Sequence, residues 1–250
     1  MRFARARPGA TAVAAVIVSF GLLAHLVASG LYWARFGEPP LVGLGPSLAS
    51  LALLLALALS ALGLSSSARS IGLILAPIAA FVLLIAIVIG IEPTGSELAF
   101  RGGWLTLHIS LAFTGYVGWV VAAAAALMYL LQVRQLKHKQ LGAVFEFFPP
   151  LDTLDRLAEW ALIVGFAALT LGIWLGWAWT IRFEGGFRWS DPKVVWAVLT
   201  WLAMLLAIWA RFSRNRTTSQ AALWNVGGFG VVFLAYFVTK LMVPEWQFFL

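Results

Sequence analysis

Apolar residues fall along this chain in long blocks separated by short polar connections. A helix crossing ~30 Å of hydrocarbon needs about 20 residues. Seven blocks are long enough: roughly 9–33, 46–65, 70–91, 103–131, 157–181, 193–211 and 219–243. The sixth is the shortest. The pattern predicts an all-α polytopic transmembrane helix bundle of about seven spans. No soluble domain fits between the blocks and no clear internal repeat is visible, so residues 1–250 are expected to form a single integral membrane domain. Pro77 lies inside the third block and predicts a kink, which lipid tolerates where neighbouring groups re-satisfy the backbone.

Composition agrees with that class. The chain is 62% hydrophobic and 11% charged, with mean hydropathy +0.94, where a soluble domain carries about 25% charged residues. The absence of cysteine excludes a disulfide framework, a thiolate metal site and covalent thioether attachment through this chain. The apolar run after MRFARARP is too long for a signal-peptide core and lacks a small-residue cleavage site, so it is expected to stay as the first helix.

The net charge of +7 suggests nucleic acid until its placement is considered. With the N-terminus inside, eleven of the 17 Lys and Arg fall on the inner side, favouring an N-in/C-out chain. Topology and anionic membrane lipids then account for the basic excess, with no nucleic acid as partner. In the longest inner connection, 132–156, Pro149-Pro150 blocks a continuous helix. Asp152 and Asp155 resemble a helix N-terminus with a short-acid version of the capping box. His138 lies there in a basic run and is expected to be solvated or lipid-facing.

The connection before the sixth span reads EGGFRWSDPKVVW, residues 184–196. Asp191-Pro192 is a good helix start, with Asp as cap and Pro at the first helical position. That leaves FRW and Lys193 unexplained. Gly185-Gly186 allows close backbone approach. Phe187 and Trp189 offer flat apolar faces, and Arg188 and Lys193 offer positive charge to carboxylates or phosphates. Trp104, Trp177 and Trp196 fall at the same outer boundary, where tryptophan is in excess over the inner one. An aromatic shelf ringed with cations suits a macrocycle bearing two propionates, and equally a lipid headgroup with its acyl chains.

His108, in GGWLTLHISLAFTGYVGW, lies about one turn inside the outer end of the fourth span, with Trp104 and Ala112 on its face. Ionisable groups within membranes are costly and tend to be functional, and histidine is the usual axial ligand of haem iron. Hydrogen bonding between helices is the other role open to a lone membrane histidine. Gly115 and Gly118 further along would let another helix approach closely. His25, in the first span, reads as a helix-packing residue.

Taken in order, LHISLAFTGYVGWVVAAAAALMYLLQVRQLK, FFPPLDTLDRL and GFRWSDPKVVWAVLTWL resemble the cytochrome c assembly family of haem-handling membrane proteins, over roughly residues 100–250. The first helix with its histidine and the Glu-Pro-Pro turn fit the short form associated with haem-biosynthesis operons. The resemblance implies a multi-pass protein of a bacterial inner membrane. It would hold haem b non-covalently at the outer tryptophan-rich loop and pass it to apocytochrome c or another assembly membrane protein. His108 stands where the first of two outer axial histidines belongs, and Trp246 takes the place of the second. Trp209 takes the place of an inner histidine of synthetase forms. Ser190, Arg188, Glu184 and Val194 also depart from the family pattern.

The site implied by residues and resemblance together has His108 as axial ligand and Trp104, Trp177, Phe187, Trp189 and Trp196 as neighbours and walls. Arg188 and Lys193 are propionate partners, and Asp191 shapes the loop. No paired carboxylate, no nucleophile with its base and no phosphate-binding glycine motif is visible, so delivery or chaperoning of haem is expected rather than bond-making by this chain. Two other readings stand beside it: a membrane scaffold that has lost haem, and a small-molecule or lipid transporter using Lys240 and His25.

Overall fold

The computed structural model describes residues 8–65, 68–93, 102–139, 148–183 and 192–242. Among them the chain is helical without strands. The helices are α1 (Pro8–Phe36), α2 (Leu44–Gly63), α3 (Gly72–Ile89), α4 (Gly103–Lys137), α5 (Leu151–Phe183), α6 (Pro192–Phe212) and α7 (Thr218–Met242), with a 3-10 turn, Arg69–Ile71, leading into α3. The protein is an all-α, polytopic helix bundle. Among the described residues, six helices, α1 to α6, are long and apolar enough to cross a membrane. The seventh predicted block, 219–243, coincides with α7 over its described residues.

Helix ends follow the breakers seen in the sequence. Pro192 opens α6 and Pro149-Pro150 directly precede α5. Helix α4 outlasts its apolar block, continuing to Lys137 because the segment QVRQLK contains no breaker and places Arg134 and Lys137 in the last turn, where they complement the helix dipole. Asp152 lies in the first turn of α5 and Asp155 just beyond it, so the pair marks the helix start that its spacing predicts. The Asp155 carboxylate is bound by Arg211 from α6, a charge-assisted pair.

The contacts divide into two units, residues 1–93 with 131–154 and residues 94–130 with 155–250. In the first, α2 packs on α3 and on α1. Gly45 is required where α2 meets the end of α3, since a Cβ there would lie 1.8 Å from the Gly90 carbonyl oxygen. Ser47 donates to the Leu41 carbonyl (2.8 Å) and Ser50 to that of Pro40, tying the α1–α2 turn to α2. His25 is half-buried and hydrogen-bonds the Ala49 backbone, as a helix-packing histidine should. Near the α4 end, Gln132 donates to the Pro149 carbonyl at 3.0 Å, and His138 is exposed.

The second unit has its core around Trp119, Ala122, Leu162, Leu169, Met204 and Ala207. Trp119 donates from its indole nitrogen to Asn225 Oδ1 at 3.0 Å and meets the Phe229 ring edge-on. A fully buried indole N–H needs such a partner. Small residues bring α4 and α5 together. A Cβ on Gly118 would lie 2.7 Å from Gly165 Cα, one on Gly115 2.7 Å from Leu169 Cβ, and one on Gly172 3.1 Å from the Ala112 nitrogen. As numbering rises on α4 it falls on α5, so the pair is antiparallel. Its close approach realises the role expected for Gly115 and Gly118.

Candidate functional site

The antiparallel register carries α4 to one further contact, at His108. The imidazole lies against Gly176 of α5, where an added Cβ would be 2.6 Å from Cε1 and 3.1 Å from Nδ1. A side chain at this position would displace the ring. Four residues earlier on α5, the Gly172 carbonyl oxygen is 2.8 Å from His108 Nδ1. A carbonyl only accepts, so Nδ1 carries the proton and donates, and Nε2 carries the ring's lone pair. This is the orientation in which a histidine ligates through Nε2 while its other nitrogen is held by the backbone. The ring is half-buried and turned toward α5 rather than outward along the helix surface.

Trp104, one turn before His108, donates from its indole nitrogen to the Leu175 carbonyl at 3.1 Å. The two residues therefore grip the same turn of α5 from the same face of α4. That joins two of the predicted site residues. Trp177 follows Gly176 and is 46% exposed. Trp196, on α6, packs edge-on against Tyr236 of α7 with ring centroids 5.7 Å apart, a contact absent from the sequence reading. Lys193 is in the first turn of α6. Phe187, Arg188, Trp189 and Asp191 lie outside the described residues, as does the Lys193 side chain. Among the described residues no three His, Asp or Glu side chains converge on a metal-sized site. A haem iron asks less of the protein, one or two axial nitrogens, and the donor set at His108 fits one of them.

A second polar cluster lies toward the other end of α5. Arg211 of α6 is bonded through Nη1 to Asp155 Oδ1, through Nη2 to Asp155 Oδ2 at 2.7 Å, and through Nη2 to Glu159 Oε2 at 2.8 Å. Tyr129, Ala207, Ala221 and Asn225 line the shallow cavity beside it. Sequence reasoning passed over this cluster. Its signal was present: Asp155 and Glu159 are four residues apart, hence on one helix face, and Arg211 closes the next apolar block. Trp209 has its ring centroid 5.0 Å from the Arg216 guanidinium carbon.

Residues 43–246 match the cytochrome C assembly protein family. The chain belongs to that family. The match begins well before residue 100, so it takes in α2 and α3 as well as the tryptophan-rich region. Among its relatives are proteins named cytochrome c biogenesis protein CcsA. The one from Guillardia theta is 31% identical over 153 residues, 55% of this chain and 51% of that protein. The one from Welwitschia mirabilis is 26% identical over 197 residues, 69% of this chain and 65% of that protein. The one from Chlamydomonas reinhardtii is 27% identical over 144 residues, 58% of this chain and 40% of that protein. The chain thus spans about half the length of the curated relatives it matches.

Proposed function

We propose that this protein is a haem-handling membrane component of cytochrome c maturation, with His108 Nε2 as an axial ligand to non-covalently held haem b. The observation that carries the reading is the hydrogen bond from His108 Nδ1 to the Gly172 carbonyl, which keeps the lone pair on Nε2. Membership of the cytochrome c assembly family and the CcsA relatives support the same role. Trp104, Trp177, Phe187, Trp189 and Trp196 supply the apolar walls, Arg188 and Lys193 the counter-charges for propionates, and Asp191 the shape of the loop. The membrane is a bacterial inner membrane and the chain runs N-in/C-out, placing His108 near the outer face. Haem supplies the reactive periphery for any thioether bond to apocytochrome thiols. This chain binds, orients and passes on the macrocycle, to apocytochrome c or to a second assembly protein.

The test is the absorption spectrum of the detergent-purified full chain titrated with haem. A Soret band is expected that His108→Ala weakens strongly and that added imidazole restores in the variant. A wild-type chain that stays colourless, or a variant whose band is unchanged, overturns the reading. The indole–guanidinium contact at Trp209, where synthetase forms carry a histidine, favours a second reading, a scaffold without haem. Stoichiometric recovery of a membrane partner that His108→Ala leaves intact, from a protein that takes up no haem, would support it.

A further inference from the structure

The connection between α6 and α7 is short and well held. With the last turn of α6 it carries three arginines in close succession, Arg211 in the helix and Arg214 and Arg216 in the connection. Arg211 is fully engaged by Asp155 and Glu159. Neither Arg214 nor Arg216 pairs with a carboxylate among the described residues. Arg216 is not loose, however. Its backbone nitrogen donates to the Ser213 carbonyl at 3.2 Å. The next residue, Thr217, forms a reciprocal cap with Gln220, the Thr217 nitrogen donating to Gln220 Oε1 at 3.0 Å and the Gln220 nitrogen to Thr217 Oγ1 at 3.3 Å. The Arg216 guanidinium carbon is 5.0 Å from the Trp209 ring centroid on α6 and 4.9 Å from that of Trp224 on α7.

A guanidinium over aromatic rings is attracted through its face, and this leaves the N–H edge for other work. That edge is a planar fork that matches phosphate oxygens in pairs. Both indoles are partly exposed, 54% for Trp209 and 41% for Trp224. They stand at the ends of helices, the level at which tryptophan meets lipid headgroups. Arg214, exposed two residues away, adds a second positive charge. An ordinary basic loop attracts an anionic membrane without holding any one group. Here an arginine is oriented by two rings and a capped turn, and among the described residues no carboxylate pairs with it.

We propose that Arg216, held by Trp209 and Trp224 and assisted by Arg214, binds the phosphodiester headgroup of an anionic phospholipid. The site is independent of haem. Its occupant is a bilayer lipid and not a soluble phosphate, because the indoles provide apolar surface beside the cation.

The experiment is native mass spectrometry of the full chain in detergent, titrated with phosphatidylglycerol. A retained lipid is expected for the wild type and not with phosphatidylcholine. Arg216→Gln should weaken retention about fivefold, the scale of one arginine at an anionic surface. Arg216→Lys should be intermediate, and Lys137→Gln, a basic residue elsewhere, without effect. The pair Trp209→Leu and Trp224→Leu should each weaken retention although charge is unchanged. Helical circular dichroism checks the fold of each variant, and should Arg216→Gln misfold, the Lys and Leu variants carry the test. Equal retention by the Trp variants and the wild type would overturn the proposal. So would equal binding of phosphatidylcholine, or displacement of the lipid by inorganic phosphate at matched concentration.

Discussion

The two ends of α5 meet their neighbours by opposite means. Toward the C-terminal end, glycines at 172 and 176 let α4 come close enough for a neutral imidazole to rest on the helix backbone. Toward the N-terminal end, long side chains do the joining, two carboxylates reaching one guanidinium. The charged cluster satisfies itself: Arg211 uses both Nη groups on Asp155 and Glu159. The imidazole end is different in kind. One nitrogen is committed to a carbonyl, and the lone pair sits on the other. Internal pairing makes a cluster structural, whereas a backbone-held histidine has its ring position and tautomer fixed by the neighbouring helix.

Breaking the charged end should give the largest effect on stability. Arg211→Leu leaves two carboxylates facing each other without a cation. A loss of about 3 kcal/mol is expected, at the low end for a broken buried pair because the carboxylates are partly exposed. Unfolding in mixed detergent measures it, and replacing Asp155 and Glu159 by Leu in the same chain should recover most of the loss. Haem uptake should survive in the rescued variant. Loss of uptake there would mean the two ends are not separable.

Between the ends, Gly118→Val forces a branched side chain onto the Gly165 backbone, which cannot move aside as a side-chain tip can. Overpacking of this kind costs about 2 kcal/mol, seen as a lowered unfolding midpoint with helix content retained. If Gly118→Val were neutral, the close approach of α4 and α5 would be wrong.

Gly176→Ala sharpens the contrast. The new methyl meets the tip of His108, so the ring shifts at a cost of about 1 kcal/mol. Stability changes little, but the absorption maximum of added haem should move, because the ligating nitrogen moves with the ring. An unchanged spectrum would separate His108 from the iron. The smallest effect is expected from Trp104→Phe, which keeps the ring and removes one partly exposed hydrogen bond to Leu175. About 0.5 kcal/mol is the scale, measurable as a small shift in the same unfolding curve.

The helices were legible because each depends on a local run of residues. Pro192 and Pro149-Pro150 could be read as boundaries, and Gly115 and Gly118 as points of close approach. His108 could be singled out as the one histidine near the outer end of a span, but not its tautomer, which a carbonyl 64 residues away decides. The contact of Trp196 with Tyr236 is not legible in the sequence, because Tyr236 lies on a helix far along the chain. Asp152 and Asp155 mark a helix start in the sequence, but the partner of Asp155, Arg211, is equally remote along the chain.

The amino-acid sequence alone determined that this chain is a helical membrane bundle of the cytochrome c assembly type. Length and apolarity of a segment settle whether it can satisfy its own backbone in hydrocarbon, and ordered motifs survive in one dimension. Tertiary structure alone decided which side chains hold one another: His108 on Gly172 and Gly176, Arg211 on Asp155 and Glu159, Arg216 beside Trp209 and Trp224. Those pairings depend on the rotation and register of packed helices, and a few ångströms of approach, set by glycines, decide whether an imidazole can enter.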